Sequence, residues 1–405
     1  MPSKHGTFPH LAVPAMLLAV TSTIVTNTAG FLLGVAAAAM DQDLHFPAWA
    51  VGAAVAGFGL GGAVASWSTP WLSRRMSTEH TLIVALTLSL GTLVAIALLA
   101  PTWHWILLWA TLSGVSNGLS HPSSNDLLGR FVPSSWQGLA FGFKQAGVPL
   151  ASFVAGLTVP TIVLQFNWQT AYLVCAGLSL LVLLGVFAFP SRRGAAREHG
   201  TPAALGPMPA DQKRYLRVSS IMTGCGGAAA SGIAAFTVLA SIDRGINVAL
   251  AATVFSAAGL ACAADRIILG MISGKPGRAS LLTIAAMLSA SAISTLLMAI
   301  VPWDVVFLVA GFIAIAIGWG WAGLSHYIVH LRSPGRTREA AAIVQIGTFV
   351  GTSAGPVIAG GLVSGFGFSV MWLFMSLLAA VAVAAALVAR RMGLRLDAAR
   401  GNYGT

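Results

Sequence analysis

Long apolar runs, separated by short polar or proline-containing breaks, fill almost the whole chain. A helix needs roughly 20 apolar residues to cross about 30 Å of membrane hydrocarbon. Twelve runs reach that length, and they lie near residues 11–38, 47–69, 81–101, 103–127, 136–160, 168–189, 216–240, 246–272, 280–300, 303–329, 339–363 and 368–389. The pattern predicts an all-α membrane protein with twelve transmembrane helices. The first run is too long and too polar in its middle for a signal peptide, so we expect it to remain as a membrane helix.

The composition excludes most other classes of protein. Of the 405 residues, 57% are hydrophobic and 8% are charged, whereas a soluble chain carries about 25% charged residues. This difference excludes a soluble globular enzyme, a disordered protein and a disulfide scaffold. The three cysteines, Cys175, Cys225 and Cys262, lie inside apolar runs, and we interpret them as small packing residues.

The basic residues are divided unequally between the two sides of the predicted bundle. Nineteen of the 22 lysines and arginines lie in alternate loops or at the termini, which share one side. They are Lys4, Arg74, Arg75, Arg130, Arg192, Arg193, Arg197, Lys213, Arg214, Arg217, Lys275, Arg278, Arg332, Arg336, Arg338, Arg390, Arg391, Arg395 and Arg400. The opposite loops hold Arg244 alone among basic residues. Because lysine and arginine collect in cytoplasmic loops, we expect both termini to be cytoplasmic, in an inner or plasma membrane.

One long break divides the chain into two related parts. Residues 190–215 are rich in proline, glycine and basic residues, which is typical of a flexible linker. The flanking parts match at a constant offset of 200, so that Gln145 corresponds to Gln345 and Trp103 to Trp303. We therefore predict an N-terminal six-helix half at 1–189, a cytoplasmic linker at 190–215, a C-terminal six-helix half at 216–391 and a cytoplasmic tail at 392–405.

The loop after the eighth predicted helix reads GMISGKPGR at 270–278. With the six-plus-six arrangement, it makes the chain resemble the major facilitator superfamily over essentially its whole length. The resemblance implies two halves that rock around a central site, with the fifth and eighth helices side by side. The chain departs from the family motif at its acidic position, which is Gly274 here and Arg74 in the first half. Gly114 stands near the place of an arginine that many members carry in the fourth helix.

Two basic residues fall inside predicted membrane helices, where a charge is costly and indicates function. Lys144 and Arg266 lie about 12–13 Å from the predicted cytoplasmic face, at 1.5 Å per residue. Two cations at similar depth on neighbouring helices favour an anionic substrate. Alternatively, Asp265 pairs with Lys144 and neutralises a buried charge, which would leave Arg266 as the free cation.

Amides and hydroxyls form polar faces on several predicted helices, and such groups orient small ligands at low cost. The fourth helix carries Asn117, His121 and Asn125 on one face, with His121 as a candidate pH-sensitive group. Other candidate substrate-binding residues are Asn27 in the first helix, Gln145 in the fifth, and Gln345 and Thr348 in the eleventh. The alternative is that these side chains only bond neighbouring helices.

A second set of charged residues is predicted to form a cytoplasmic gate and charge network. It consists of Asp265, Arg74, Arg75, Asp126, Lys275 and Arg278. We expect Asp126 to pair with Arg74 or Arg75, because all three lie near the same membrane face.

Several other functions have little support in the sequence. The segment GFGLGG at 57–62 fits a dinucleotide pattern, but it lies in an apolar helix, so we interpret its glycines as helix-packing residues. The basic loops lack interleaved aromatic residues, which disfavours nucleic-acid binding. No nucleotide-binding loop, catalytic triad or metal motif stands out, so we expect neither an enzyme nor a cofactor.

These patterns favour a monomeric secondary transporter that moves a small solute by alternating access. We expect the substrate to be a small organic anion, with a coupling ion or counter-substrate as the energy source. The alternatives are efflux of lipophilic drugs by the same fold and a non-transporting membrane receptor.

Overall fold

The structure is a computed structural model, and it describes residues 9–72, 75–133, 136–189, 208–273, 280–333 and 337–399. Every regular element in these ranges is helical. The helices are α1 (Pro9–Val35), α2 (Ala37–Leu44), α3 (Ala48–Leu72), α4 (Thr78–Leu98), α5 (Trp103–Phe131), α6 (Gln137–Thr158), α7 (Trp168–Ala188), α8 (Ala210–Asp243), α9 (Val248–Ser273), α10 (Leu281–Ile300), α11 (Asp304–Ala316), α12 (Trp321–Leu331), α13 (Thr337–Phe366) and α14 (Phe368–Ala399). A π-helical turn, Val159–Val163, extends α6.

In the described ranges, eleven segments are long and apolar enough to cross a membrane. One of them runs through both α11 and α12, which together form one broken span. The remaining predicted span is α5, which has 29 residues but is more polar because it contains Asn117, His121, Asn125 and Asp126. The predicted all-α membrane fold is confirmed.

Three helix bounds differ in detail from the apolar runs. The first run is divided at Ala36 into α1 and the short α2, and α2 stops at His45, whose φ of 51° is left-handed. Helix α8 begins at Ala210, inside the segment predicted as a linker. Helix α14 continues to Ala399, into the segment predicted as a tail. A helix that leaves the membrane needs no apolar residues, so hydropathy does not mark these ends.

The helices pack as two groups, α1–α7 and α8–α14, that meet along two main seams. Helix α6 packs against α9 and α3 packs against α13, while α1 also touches α8. The expected contact between the fifth and eighth predicted helices, here α6 and α9, is therefore confirmed. Small residues permit the close approach: a Cβ on Gly156 would lie 2.9 Å from the carbonyl oxygen of Ala252.

Apolar contact between the two groups is concentrated at one end of the bundle. One continuous cluster there includes Leu32, Phe236, Phe255 and Trp372, and so joins α1 with α8, α9 and α14. We call this the outer end, because the charge distribution predicts it to be external. The other buried clusters each lie within a single group. The described part of the bundle is thus closed by hydrophobic packing at the outer end.

The glycine-rich segment of α3 is a packing surface, as predicted. A Cβ on Gly62 would lie 3.4 Å from the carbonyl oxygen of Gly114, and one on Gly61 would clash with the backbone of α5 at Thr111. These glycines let α3 and α5 approach closely along the first half of the bundle.

Candidate substrate site

A cavity of about 180 Å³ lies between the two groups of helices. It is lined by α1, α3, α5 and α6 on one side, and by α8, α13 and the break between α11 and α12 on the other. The lining residues are Asn27, Gly30, Phe31, Val55, Phe58, Gly59, Gly62, Asn117, Val148, Ser231, Ala234, Ala235, Trp319, Phe349 and Thr352. Four aromatic rings and four amide or hydroxyl groups therefore surround a mainly apolar space.

Aromatic residues from both groups meet across this cavity. The rings of Phe31 and Trp319 contact edge to face, with centroids 5.5 Å apart. Phe58 lies beside Gly30, where a Cβ would stand 3.2 Å from the ring, so the glycine makes room for it. Sequence reasoning missed Phe31, Phe58, Phe349 and Ser231, because an aromatic or lone serine in an apolar helix gives no periodic polar signal.

Two of the predicted binding residues line the cavity itself. Asn27 on α1 donates from Nδ2 to the carbonyl oxygen of Thr23 at 2.7 Å, which leaves its Oδ1 for another donor. Asn117 on α5 makes a long contact of 3.4 Å from Nδ2 to the hydroxyl of Thr26 on α1. Both amides therefore border the cavity with unused capacity for hydrogen bonds.

Lys144 on α6 is 1% exposed and points at α5. Its ammonium nitrogen lies 2.8 Å from Asn125 Oδ1, 3.1 Å from the carbonyl oxygen of His121 and 3.1 Å from His121 Nδ1. The two oxygens are neutral acceptors, and Nδ1 is a third when the ring proton is on Nε2, which would match the three N–H donors of an ammonium. Among the described residues, Asp265 is not a partner of Lys144, so the alternative of a Lys144–Asp265 ion pair is not what the structure shows.

Arg266 on α9 is 5% exposed and also bonds only neutral groups. Its guanidinium donates to the carbonyl oxygen of Gln145 at 3.0 Å and to that of Trp319 at 2.9 Å. Pro149 follows Gln145 by four residues and has no N–H, which leaves the Gln145 carbonyl without its helical donor. Trp319 lies in the break between α11 and α12, so its carbonyl is also outside a regular helix. Arg266 therefore binds two carbonyls that the helices leave available, one in each half.

The two cations lie close to the cavity wall. Lys144 lies one helical turn before the lining residue Val148, on the same face of α6. Its neighbour His121 lies one turn after the lining residue Asn117, on the same face of α5. The Arg266 guanidinium lies 5.5 Å from the ring centroid of Trp319, which is a lining residue. In the described part of the chain, neither cation forms an ion pair. Asp265 attracts Arg266 from beyond ion-pair distance, whereas Lys144 has no carboxylate partner in this part of the chain, so positive charge flanks the apolar cavity.

Asp265 lies against the break between α11 and α12 rather than against Lys144. Its carboxylate occupies the space beside Gly320, where any Cβ would collide with it. Its Oδ2 is buried and has no hydrogen-bond partner among the described residues. Only a glycine at 320 accommodates this carboxylate.

The remaining candidates lie away from the cavity or beyond the described ranges. Gln345 and Thr348 are on α13, but the residues of that helix that line the cavity are Phe349 and Thr352. Gln145 contributes its backbone oxygen, not its amide, to Arg266. Arg75 is exposed, and Arg74, Lys275 and Arg278 lie outside the residues that the structure describes.

The expected pairing of Asp126 with Arg74 or Arg75 needs correction. Asp126 accepts from Arg130, one turn further on α5, at 2.6 Å, and from the hydroxyl of Thr78. Arg130 also lies 3.6 Å from Glu79 on α4. The i,i+4 spacing brings Arg130 to Asp126 without any help from the loop, which explains the choice of partner.

The described residues contain no group of three His, Cys, Asp or Glu side chains that could hold a metal ion. What the arrangement can do is bind a solute between two helical groups, in a cavity that is apolar at its centre and positively charged at its edge. A bundle of membrane helices with such a cavity is the architecture of a solute transporter.

Comparison with known proteins identifies the family. Residues 19–320 match the model of the Major Facilitator Superfamily, and the chain belongs to that family. The fold is similar to that of a D-xylose–proton symporter, with a TM-score of 0.74 at 14% identity, covering 94% of this chain and 97% of that one. A bacterial homologue of the human lysosomal transporter Spinster, in an inward-facing and unoccupied conformation, gives a TM-score of 0.72 at 15% identity, covering 96% and 99%.

One relative found by its sequence matches a shorter part of the chain. "Probable anion transporter 6, chloroplastic" from Arabidopsis thaliana is 27% identical over 150 residues, which are 37% of this chain. The match spans only 29% of that protein. The family and the multi-pass membrane fold are thus established.

Proposed function

We propose that this protein is a secondary transporter for a small organic anion with an apolar body. One observation carries the proposal: Lys144 is buried beside the cavity and has no carboxylate partner in the described part of the chain. Arg266 is also buried there and forms no ion pair, and only the more distant carboxylate of Asp265 offsets its charge. Burying a charge in the membrane is costly, and neutral acceptors solvate it without cancelling it. A bound anion would supply the missing negative charge.

The cavity sets the size and character of the ligand. A cavity of about 150 Å³ lined by apolar side chains can hold a benzene molecule, and this one measures about 180 Å³. The aromatic lining suits an apolar or aromatic body, while the cations at the edge suit a carboxylate or sulfonate. The anion transporter named among the relatives agrees with this substrate class.

Transport would proceed by rocking of the two six-helix halves, 1–189 and 216–391, around the cavity. The single cluster at the outer end would separate when the cavity opens to the outside, while the inner clusters within each half would stay intact. We further propose that the protein acts as a monomer, with both termini cytoplasmic, in an inner or plasma membrane. An ion or solute gradient would then supply the energy.

A ligand series of matched shape tests the proposal. Purified full-length protein in detergent would be melted with benzenesulfonate, the neutral benzenesulfonamide and the cationic benzyltrimethylammonium. A ligand at 100 times its dissociation constant stabilises the folded state by about 2.7 kcal/mol. We expect benzenesulfonate to stabilise most. Equal stabilisation by the neutral amide, or none by the anion, would reject an anion site.

Substitution of one cation tests its role in the site. We expect Lys144→Gln to weaken benzenesulfonate binding about 10- to 150-fold, because hydrogen bonds to charged groups contribute about 1.5–3 kcal/mol. Lys213→Gln removes the same charge from an exposed position on α8 and should leave binding unchanged. If Lys144→Gln weakens the neutral amide as much as the anion, the lysine has a structural role instead.

Efflux of lipophilic compounds is a second candidate, and one observation favours it. The cavity lining contains four aromatic rings and, among the described lining residues, no ionised side chain. This function predicts that benzyltrimethylammonium and benzenesulfonamide bind as well as the anion. It also predicts that Lys144→Gln leaves their binding intact.

A further inference from the structure

The contact between Lys144 and His121 restricts which of their nitrogen atoms can carry protons at the same time. The ammonium nitrogen lies 3.1 Å from His121 Nδ1. A charged ammonium has only N–H donors, so Nδ1 must offer its lone pair, and the ring proton must then be on Nε2. A neutral amine that accepts from an Nδ1–H fits the same distance, so in either case one hydrogen lies between the two nitrogens and the pair holds at most one positive charge.

A second proton cannot be added to this pair without rearrangement. Protonation of Nδ1 would point an N–H at an ammonium 3.1 Å away, in a position where Lys144 is 1% exposed. Two positive charges at that distance repel strongly in a medium of low dielectric constant. While the Lys144 nitrogen stays in contact with His121, the pair carries at most one positive charge, and the protonation of one group depends on that of the other.

The charged groups around the pair do not remove this constraint. Among the side chains that the structure describes, α1 and α3 carry no ionisable group. On α4 and α5, Glu79 and Asp126 are both engaged by Arg130. On α9, which packs against α6, Arg266 bonds backbone carbonyls and Asp265 lies against Gly320.

An anion in the cavity would change the proton balance. Lys144 lies one turn from the lining residue Val148, so a bound anion would draw its ammonium away from His121. The Nδ1 lone pair would then be open to a proton, and the anion would offset the added positive charge. Asn125, the neighbouring acceptor, is exposed, and His121 is half-buried, so solvent is close enough to deliver that proton.

We propose that His121 and Lys144 form a proton-binding site that takes up one proton from water when an organic anion enters the cavity. The protein is then a proton–anion symporter, and the proton returns to water on the other side when the anion leaves. This inference rests on the proposed anion transport and adds its coupling ion and the residue that carries it.

Proton uptake on binding is the direct test. Full-length protein in weakly buffered detergent solution would be titrated with benzenesulfonate, which does not itself accept a proton near neutral pH, while an indicator dye records the pH. We expect uptake approaching about one proton per bound anion near neutral pH. Binding without proton uptake would overturn the inference and leave the proposed function standing. Failure of benzenesulfonate to bind would instead reject the proposed function itself.

Two variants separate the titrating role of His121 from its structural role. In His121→Asn the amide oxygen replaces Nδ1 as acceptor for Lys144 but does not titrate. We expect this variant to bind benzenesulfonate, to exchange it across liposome membranes, and to lose both proton uptake and accumulation driven by a pH gradient. The matched variant Asn125→Ser removes a different acceptor from the same ammonium, and we expect weaker binding with proton uptake retained. Gradient-driven accumulation by His121→Asn, or loss of proton uptake in Asn125→Ser, would overturn the assignment to His121.

Discussion

A single methyl group at Gly360 should favour opening of the outer end of the transporter. Gly360 on α13 packs against α3, where a Cβ would stand 2.9 Å from the Cα of Trp49 and 3.0 Å from the carbonyl oxygen of Ala48. Carbon atoms pack best at about 3.5–4.0 Å, so Gly360→Ala requires the two helices to separate by about 0.5 Å or more. Overpacking of this kind costs about 1–3 kcal/mol.

That cost applies only while the outer ends of the two halves touch. We therefore expect Gly360→Ala to shift the equilibrium toward a state open at the outer end by about 5- to 150-fold. The adjacent Gly361 provides a matched control, because its Cβ would meet nothing within 4 Å. Both changes gain the same helix propensity, about 1 kcal/mol in favour of alanine, so the contrast isolates the steric effect.

Spin labels at Gln42 and Ser364 would report the separation of the two halves, since both positions are exposed at the outer end. The labels require a background in which the three native cysteines are replaced. Pulsed electron–electron double resonance measures the distribution of distances between the two labels. In Gly360→Ala, a longer label-to-label distance should become more populated, whereas the distribution in Gly361→Ala should be unchanged. Equal distributions in the two variants would refute the view that backbone contact at Gly360 closes the outer end.

Three further changes test other parts of the structure. Trp319→Leu removes an aromatic ring that lines the cavity and contacts Arg266, and calorimetry should record about tenfold weaker benzenesulfonate binding because the ligand loses an aromatic contact; unchanged affinity would mean that the ligand does not reach this wall. Gly320→Ala displaces the carboxylate of Asp265 and should lower the melting temperature, whereas Gly323→Ala, whose Cβ meets nothing within 4 Å, should not. Arg130→Leu leaves two carboxylates on α4 and α5 without their cation and should destabilise the protein by about 1 kcal/mol in thermal unfolding; an unchanged melting curve would show that this network contributes nothing.

Much of the fold follows from the sequence, because membrane burial imposes a long apolar run on each spanning helix. The family motif at 270–278 and the repeat at an offset of 200 then favour one arrangement of those helices. Helix α5 was predicted despite its polar second half, since its first half is apolar and aromatic. The start of α8 and the end of α14 were not predicted, because a helical segment outside the membrane has no hydropathy pattern that marks it.

The candidate site was only partly predictable. Buried charges are rare in membrane helices, so Lys144 and Arg266 could be selected from the sequence. Their hydrogen-bond partners could not be selected in this way. Arg266 binds backbone carbonyl oxygens, and every residue type has a backbone carbonyl oxygen. Pro149 was an available signal, since it marks the carbonyl four residues earlier as lacking its helical donor. Which aromatic residues line the cavity depends on how the two halves meet, and no local pattern records that.

The polarity of α5 has a consequence for the synthesis of this protein. A segment that carries asparagines, a histidine, a proline and an aspartate gains little by entering lipid alone. Helix α5 packs closely against α3 and α4, which precede it in the chain. We expect α5 to stay at the insertion machinery until these earlier helices shield its polar face. The helix that holds the Lys144 acceptors would thus enter the bilayer only as part of an assembled group.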